Sequence, residues 1–273
     1  MSAIRRRFSL WVAALFMACS FMACKGRGNS GEGSATTAAT ASVVYATTQV
    51  TPAALKDVFD ALDKKVEGHV FVNLSTISNG DSSLTAEQLS QLTQKLNLDS
   101  MAFSQADVPD IFSEMKIPVC DTTVISYHRV GQFLAHYDFL INIGSVDRYS
   151  GDGFGGMLQM TSVGVATANG KTAIREGGPK AMAVAAKAVH DYYLGGKQII
   201  YIMVMGDKEH GILASEDPVA LDQACLDIVR SQRESGDTTK VCDPEGLRKA
   251  EETIAWAEKI NLGCKIYKLE CIN

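Results

Sequence analysis

Two apolar runs of strand length constrain the fold of this chain more than any other feature. They read "YDFLINIG" at 137–144 and "KQIIYIMVM" at 197–205. Both are apolar at consecutive positions, which is typical of strands that are buried on both faces of a covered sheet. Both are also shorter than the roughly 20 residues that a membrane-spanning helix needs. They therefore predict central strands of a sheet with helices on each side.

Helical patterns alternate with these and other strand-like runs along the chain. One helix begins at Pro52 behind a Thr51 cap, and another begins at Pro218 behind an Asp217 cap. The alternation predicts the α/β class, as a single domain with a mostly parallel or mixed sheet flanked by helices. The first helix is predicted to end at Gly68. Other helices are predicted to begin after Thr85, to cover 179–194 before Gly195, and to end at Gly263. Further strands are predicted at 69–76, 122–128, 211–215 and 264–272.

Residues 1–23 have the pattern of a bacterial export signal, with three arginines before a short apolar segment. The letters "FMAC" that end at Cys24 resemble the lipobox of bacterial lipoproteins. Cys24 is therefore predicted to carry the lipid as the first residue of the mature chain. The same letters also end at Cys19, and an uncleaved anchor is the alternative interpretation. In either case we expect the domain to face the periplasm or the exterior, attached to the cell membrane or the outer membrane.

Residues 24–42 are predicted to form a flexible tether, and residues 43–273 the folded domain. The linker "KGRGNSGEGSATTAATAS" contains no large apolar side chain and cannot bury enough surface to order itself. Removal of the signal takes away three arginines and no acid, so the formal net charge changes from −5 to about −8. No basic stripe is then left to neutralise phosphates, and we expect no nucleic-acid partner.

The cysteine and histidine positions do not indicate a metal site. Five cysteines follow Cys24, so at least one of them stays unpaired in a monomer, and no C-x-x-C spacing occurs. The histidines are scattered and lack the i, i+4 spacing of a metal-binding helix. We therefore predict no metal and no cofactor. A redox pair formed by Cys264 and Cys271 is a further hypothesis, which requires the two sulfurs to lie within disulfide reach.

The segment "GDGFGG" at 151–156 is the clearest candidate for a ligand loop. It lacks the lysine–serine ending of a P-loop and the G-x-G-x-x-G spacing of a dinucleotide site. We interpret its glycines first as a requirement of the fold, for unusual φ angles or close packing. The alternative is a small-molecule site, for which the candidate residues are Ser145, Asp147, Arg148, Gly153, Gly155, Gly156, Lys171, Asp217 and Asp222.

Several stretches together resemble one known family. "YDFLINIG", "GFGG", "VGVATANGK", "GILASEDPVALDQACLDIV" and "AEKINLGCKIYKLECI" occur in the order used by the family called domain of unknown function 362. Its members are often described as uncharacterised iron–sulfur centre proteins. The resemblance runs from Val43 to Ile272, is loosest over 77–118, and is most specific from His210 to Val229. It implies an α/β fold and, in many relatives, bound iron–sulfur clusters.

This chain departs from the family pattern where chemistry is expected. Relatives carry two histidines and a lysine just before the glycine motif, whereas residues 144–152 read "GSVDRYSGD", with Arg148 as the nearest cation. Gln159 and Met160 stand where relatives have lysine and asparagine. The ferredoxin-like insertion with its C-x-x-C repeats is absent between Gly170 and Pro179. The iron–sulfur clusters that the resemblance implies are therefore not predicted here.

Two functions are consistent with these observations. In the first, the chain is an exported lipoprotein whose domain acts as a binding or scaffold module with a degenerate family site. In the second, it is an enzyme or a metal or redox protein that uses acidic and basic residues around Gly153 and Gly156. Convergence of Asp147, Arg148, Lys171 and Asp217 in an open cleft would favour the second function. The expected partners are the membrane, through the lipid, and a small-molecule ligand.

Overall fold

Strands and helices alternate along the chain. The structure is a computed structural model, and it describes residues 41–64, 67–74, 101–105, 114–145, 156–205, 211–234 and 244–272. A short 3₁₀ helix covers Gln132–His136. The other elements are, in order, β1 (Ser42–Thr47), α1 (Pro52–Ala61), β2 (Val70–Leu74), β3 (Met101–Gln105), β4 (Glu114–Ile117), β5 (His128–Gly131), β6 (Phe139–Ser145), α2 (Met157–Ser162), α3 (Ala168–Leu194), β7 (Gln198–Val204), β8 (Ile212–Ser215), α4 (Pro218–Glu234), α5 (Pro244–Lys259) and β9 (Tyr267–Cys271).

Within the described residues, seven strands form one mixed sheet in the order β3-β2-β6-β7-β8-β1-β9. Strand β8 runs antiparallel to both of its neighbours, β7 and β1, and the other four pairings are parallel. Of these seven described strands, six therefore share one direction and only β8 opposes them. The two apolar runs are the neighbouring central strands β6 and β7, with Ile141 opposite Ile200. The predicted α/β class and mixed sheet are confirmed.

Each face of the sheet is covered by apolar side chains from helices. On one face Leu55, Val58 and Phe59 of α1 pack against a cluster that includes Ile141 and Ile202. On the other face residues of α2, α3, α4 and α5 pack in one cluster with sheet residues such as Leu140 and Met203. The sheet is therefore the middle layer of three, which explains why the central strands are apolar on both sides.

A small two-stranded sheet formed by β4 and β5 packs against α3. Helix α3 is kinked where Gly178 adopts a left-handed φ of 65° before Pro179. The proline ring cannot continue a regular helix, and glycine is the residue that adopts this φ without strain. The first part of α3 lies near β5, since the amide of Thr167 donates to the carbonyl of Arg129 at 3.1 Å.

Several sequence-based predictions of elements differ from the structure. The helix predicted at 179–194 begins earlier, at Ala168, with a kink at Gly178. The strand predicted at 122–128 is wrong, because Asp121 accepts hydrogen bonds from the amide and hydroxyl of Thr123 and starts a turn. Helix α1 ends at Ala61 rather than near Gly68, which instead adopts a φ of +78° in the turn before β2. Strands β1, β3, β4 and β5 and helix α2 were not predicted. The helix predicted after Thr85 lies outside the described residues.

The contacts divide the chain into residues 1–38 and residues 39–273, and the second part forms one compact unit. The predicted export signal, Cys24 and nearly all of the predicted tether lie outside the described residues. Within the part of the chain that the structure describes, no helix is both long and apolar enough to cross a membrane.

Candidate functional site

A row of polar side chains crosses the buried sheet beneath α2. Asn73 of β2 lies opposite Asn142 of β6, Asn142 opposite Tyr201 of β7, and Tyr201 opposite Ser215 of β8. Residues directly opposite each other on neighbouring strands project to the same face of a sheet. All four side chains are buried. Sequence reasoning missed this row, although one asparagine interrupts each of the apolar runs "VFVNL" and "FLINI".

Hydrogen bonds within the protein satisfy most of the row. The Asn73 amide donates to Asn142 Oδ1 at 2.9 Å and to the carbonyl of Met160 in α2 at 3.3 Å. The Tyr201 hydroxyl lies 2.7 Å from Nδ1 of His190. Among the described residues, Asn142 Nδ2 has no hydrogen-bond partner. Burial raises the pKa of Tyr201 well above its usual range and lowers that of His190, so both side chains are neutral.

Helix α2 is held over this row by the carboxylate of Asp222, which belongs to α4. Asp222 Oδ1 accepts from the amide of Met157 at 2.6 Å, and Oδ2 accepts from the amide of Leu158 at 2.9 Å. These are the first two amides of α2, which have no partner inside the helix. Met157 and Leu158 are themselves buried, so the junction between α2 and α4 is closed to solvent.

Burial dominates the electrostatics of Asp222. Loss of solvent raises the pKa of this carboxyl from 3.8 to about 7, although the two amide hydrogen bonds oppose the shift and Asp217 adds to it. The side chain is only 2% exposed. Asp222 therefore changes its protonation state near neutral pH, unlike an ordinary surface aspartate.

Gly156, the last residue of the glycine segment, packs directly on this carboxylate. A Cβ atom at Gly156 would lie 2.5 Å from Asp222 Oδ1 and 2.6 Å from Cγ and Oδ2. Its φ is −88°, so space rather than an unusual backbone angle requires glycine here. The close packing of Gly156 belongs to the fold; Gly153 and Gly155 lie outside the described residues.

Asp217 occupies a different part of the molecule. Its Oδ1 accepts from the amides of Val219 and Ala220 at 2.8 and 3.1 Å, as an N-cap of α4 does. Its Oδ2 accepts from the Ser42 hydroxyl at 2.6 Å and from the amide of Cys264 at 2.8 Å. Asp217 follows the end of the antiparallel strand β8. It therefore lies at the end of the sheet where the parallel strands begin.

The other candidate residues do not join Asp217. Ser145 is the last residue of β6 and lies opposite Val204, at the end of the sheet where the parallel strands finish. Lys171 lies in the first turn of α3, next to Gly170, which packs against the carbonyl of Arg129 in β5. Asp147 and Arg148 lie outside the described residues. Asp217 and Ser145 therefore lie at opposite ends of the sheet along the strand direction.

The histidines and cysteines do not assemble a metal site among the described residues. No group of three or more His, Cys, Asp or Glu side chains is placed there to hold a metal ion. The four described cysteines are free thiols, and the Cys264–Cys271 pair is not formed, since the extended strand β9 separates the two residues. His128 is buried, and loss of solvent lowers the pKa of its imidazole to about 4. The donors in the part of the chain that the structure describes do not fit an iron–sulfur cluster.

The chain is similar to a known family and to two solved structures. The family model described as domain of unknown function (DUF362) matches residues 39–227. A crystal structure of a protein from Thermotoga maritima is 11% identical, with a TM-score of 0.39, over 75% of this chain and 58% of that one. The lactate racemase apoprotein from Thermoanaerobacterium thermosaccharolyticum is 10% identical, with a TM-score of 0.40, over 69% and 57%. This chain thus spans less than two thirds of either protein. No curated protein matches it.

Substitution of Gly156 tests the packing against Asp222. We expect G156A to lower the free energy of unfolding by about 1–3 kcal/mol, because the new methyl group overlaps the carboxylate. The loss should be smaller when G156A is introduced into D222A, in which the carboxylate is absent. Denaturant unfolding of the four proteins measures this coupling. G195A is the matched control, since its nearest neighbours lie at 3.5 Å; equal losses in G156A and G195A would contradict the packing argument.

The pH dependence of stability tests the electrostatics of Asp222. The pKa of this group is about 7 in the folded state, and 3.8 is its ordinary value, which we take for the unfolded chain. At a pH between these two values the folded state therefore binds more protons than the unfolded chain. The free energy of unfolding of the wild type, relative to D222N, should therefore fall as the pH rises from 4 to 7, by on the order of 4 kcal/mol. Parallel denaturant titrations of both proteins measure the difference. A difference that grows with pH would show that the amide hydrogen bonds outweigh burial.

Proposed function

This chain belongs to the DUF362 family, and we propose that it is a lipid-anchored, exported binding module rather than an enzyme that uses Asp217 or Asp222. The proposal rests on one observation: both carboxylates are already engaged in hydrogen bonds that hold elements of the fold together. Every oxygen of the two side chains accepts a hydrogen bond from the protein, mostly from backbone amides. A general base or a metal ligand needs an oxygen that can reach a substrate proton or an ion.

The position of the two acids supports the same proposal. Asp222 is buried at the junction of α2 and α4. Asp217 lies where the parallel strands begin, which is the other end of the sheet from the last residue of β6. A catalytic pair would have to face one reacting group within hydrogen-bond distance. The small-molecule ligand of the proposed module would instead be bound near Ser145, where β6 ends. Asp147, Arg148, Gly153, Gly155 and Lys171 remain candidates for this site from the sequence alone.

The export signal and the composition of the linker support the lipid anchor. The basic residues and the short apolar segment precede two lipobox-like sequences, and a polar linker begins directly after Cys24. A linker of this composition typically reaches about 20–25 Å as a random coil. The domain would thus be held close to the membrane, facing the periplasm or the exterior, without spanning the bilayer itself.

Labelling with palmitate in a bacterial host tests the anchor. We expect full-length wild-type protein to incorporate the labelled fatty acid, C24A to lose the label, and C19A to keep it. C19A is the matched control because the same three letters, FMA, precede both cysteines. Label that persists in C24A and disappears in C19A would place the lipid on Cys19. Label in neither the wild type nor C19A would overturn the lipid anchor.

Metal analysis with an absorption spectrum tests the binding module against the enzymatic or redox alternative. We expect full-length protein purified without oxygen to be folded, colourless and free of stoichiometric metal, because its described donors do not fit a cluster. Near-stoichiometric iron with a cluster-like absorbance would favour the redox alternative. Variants of Cys120, Cys225, Cys264 and Cys271 would then identify the ligands, with circular dichroism as the control for folding.

A further inference from the structure

Strand β9 (Tyr267–Cys271) forms one edge of the seven-stranded sheet. It pairs in parallel with β1, with Val44 opposite Leu269 and Tyr45 opposite Glu270. Among the described strands, none pairs with the other side of β9. An edge strand presents a row of backbone donors and acceptors to which another strand can add.

The hydrogen bonds to β1 identify which groups of β9 point outward. The amide of Ser42 donates to the carbonyl of Ile266 at 3.0 Å, and the amide of Ile272 donates to the carbonyl of Ala46 at 2.7 Å. Alternate residues of a strand direct their backbone groups to the same side. Residues 266, 268, 270 and 272 therefore face β1, and the amides and carbonyls of Leu269 and Cys271 point away from it.

The charges on β9 are complementary to those of a second β9 in the antiparallel direction. Lys268 and Glu270 lie on one face of the strand, with side chains that are 68% and 39% exposed, and form an ion pair at 2.7 Å. A two-fold axis through Leu269 places each Lys268 opposite the Glu270 of the other copy. A lone lysine on an edge strand discourages pairing. A lysine and a glutamate spaced symmetrically about one residue instead favour pairing with an identical strand.

We propose that this protein forms a symmetric dimer in which β9 pairs antiparallel with β9 of a second copy. The two Leu269 residues meet at the axis and exchange both of their outward backbone hydrogen bonds. On each side Lys268 of one copy faces Glu270 of the other, at positions where the Cα atoms approach to about 4.5 Å. The two seven-stranded sheets become one continuous sheet across the interface.

The proposed lipid anchor would strengthen this pairing but is not required for it. Chains confined to one membrane meet at a higher effective concentration than chains in solution. The local lysine–glutamate pairs also offset the repulsion between two copies that each carry a net negative charge. Failure of palmitate labelling would therefore leave the strand pairing intact, and the two proposals can fail separately.

Charge exchange within β9 tests the pairing in the full-length protein purified in detergent. Sedimentation velocity at increasing protein concentration should show a monomer–dimer equilibrium for the wild type. K268E and E270K place like charges opposite each other, and each should raise the dissociation constant at least about tenfold. The double variant K268E/E270K restores opposite charges both within and between strands, so it should dimerise like the wild type. Thermal unfolding of each variant controls for folding.

Disulfide trapping tests the register. In a C271S background, L269C should form an intermolecular disulfide on mild oxidation, because hydrogen-bonded antiparallel pairs have Cα atoms about 5.5 Å apart. K268C in the same background is the control and should cross-link much less, since its opposite residue is Glu270. A monomeric wild type, single charge variants that dimerise as well as the wild type, or equal cross-linking of L269C and K268C would each overturn the proposal.

Discussion

The carboxylate of Asp222 is the contact on which the arrangement around the candidate site depends. It joins α4 to the first two amides of α2 and leaves no room for a side chain at Gly156. A carboxylate at a helix amino terminus is favourable because the first amides of the helix are unpaired. Its burial is unfavourable when it is ionised. The stability of the junction between α2 and α4 therefore depends on the protonation state of Asp222.

A second aspartate also joins separate elements, at the end of the sheet where the parallel strands begin. Asp217 connects the start of α4 with Ser42 at the start of β1 and with Cys264 before β9. Helix α4 is thus fixed by one carboxylate at its cap and by another one turn later. Both acids stand within residues 39–227, which the family model matches, and both join α4 to its neighbours in the fold.

The central strands could be predicted from the sequence because burial on both faces produces apolar runs of a recognisable length. The turn at Asp121 was missed because "TTVISYH" has the composition of a strand, and only the side-chain bond from Asp121 to Thr123 selects the turn. The function of Gly156 depends on Asp222, which lies 66 residues further along the chain. Such a contact is a property of the tertiary structure and leaves no local pattern. The asparagines at 73 and 142 were visible as polar residues in apolar runs, but their pairing depends on the strand order.

The reversed direction of β8 determines at which end of the sheet β1 begins. Because β8 is antiparallel to both β7 and β1, β1 runs parallel to β6 and β7 and begins at the edge where they begin. Ser42 therefore lies at the end of the sheet away from Ser145, the last residue of β6. The same reversal brings Asp217, two residues after the end of β8, beside Ser42. One carboxylate can thus both cap α4 and hold the first residue of the sheet.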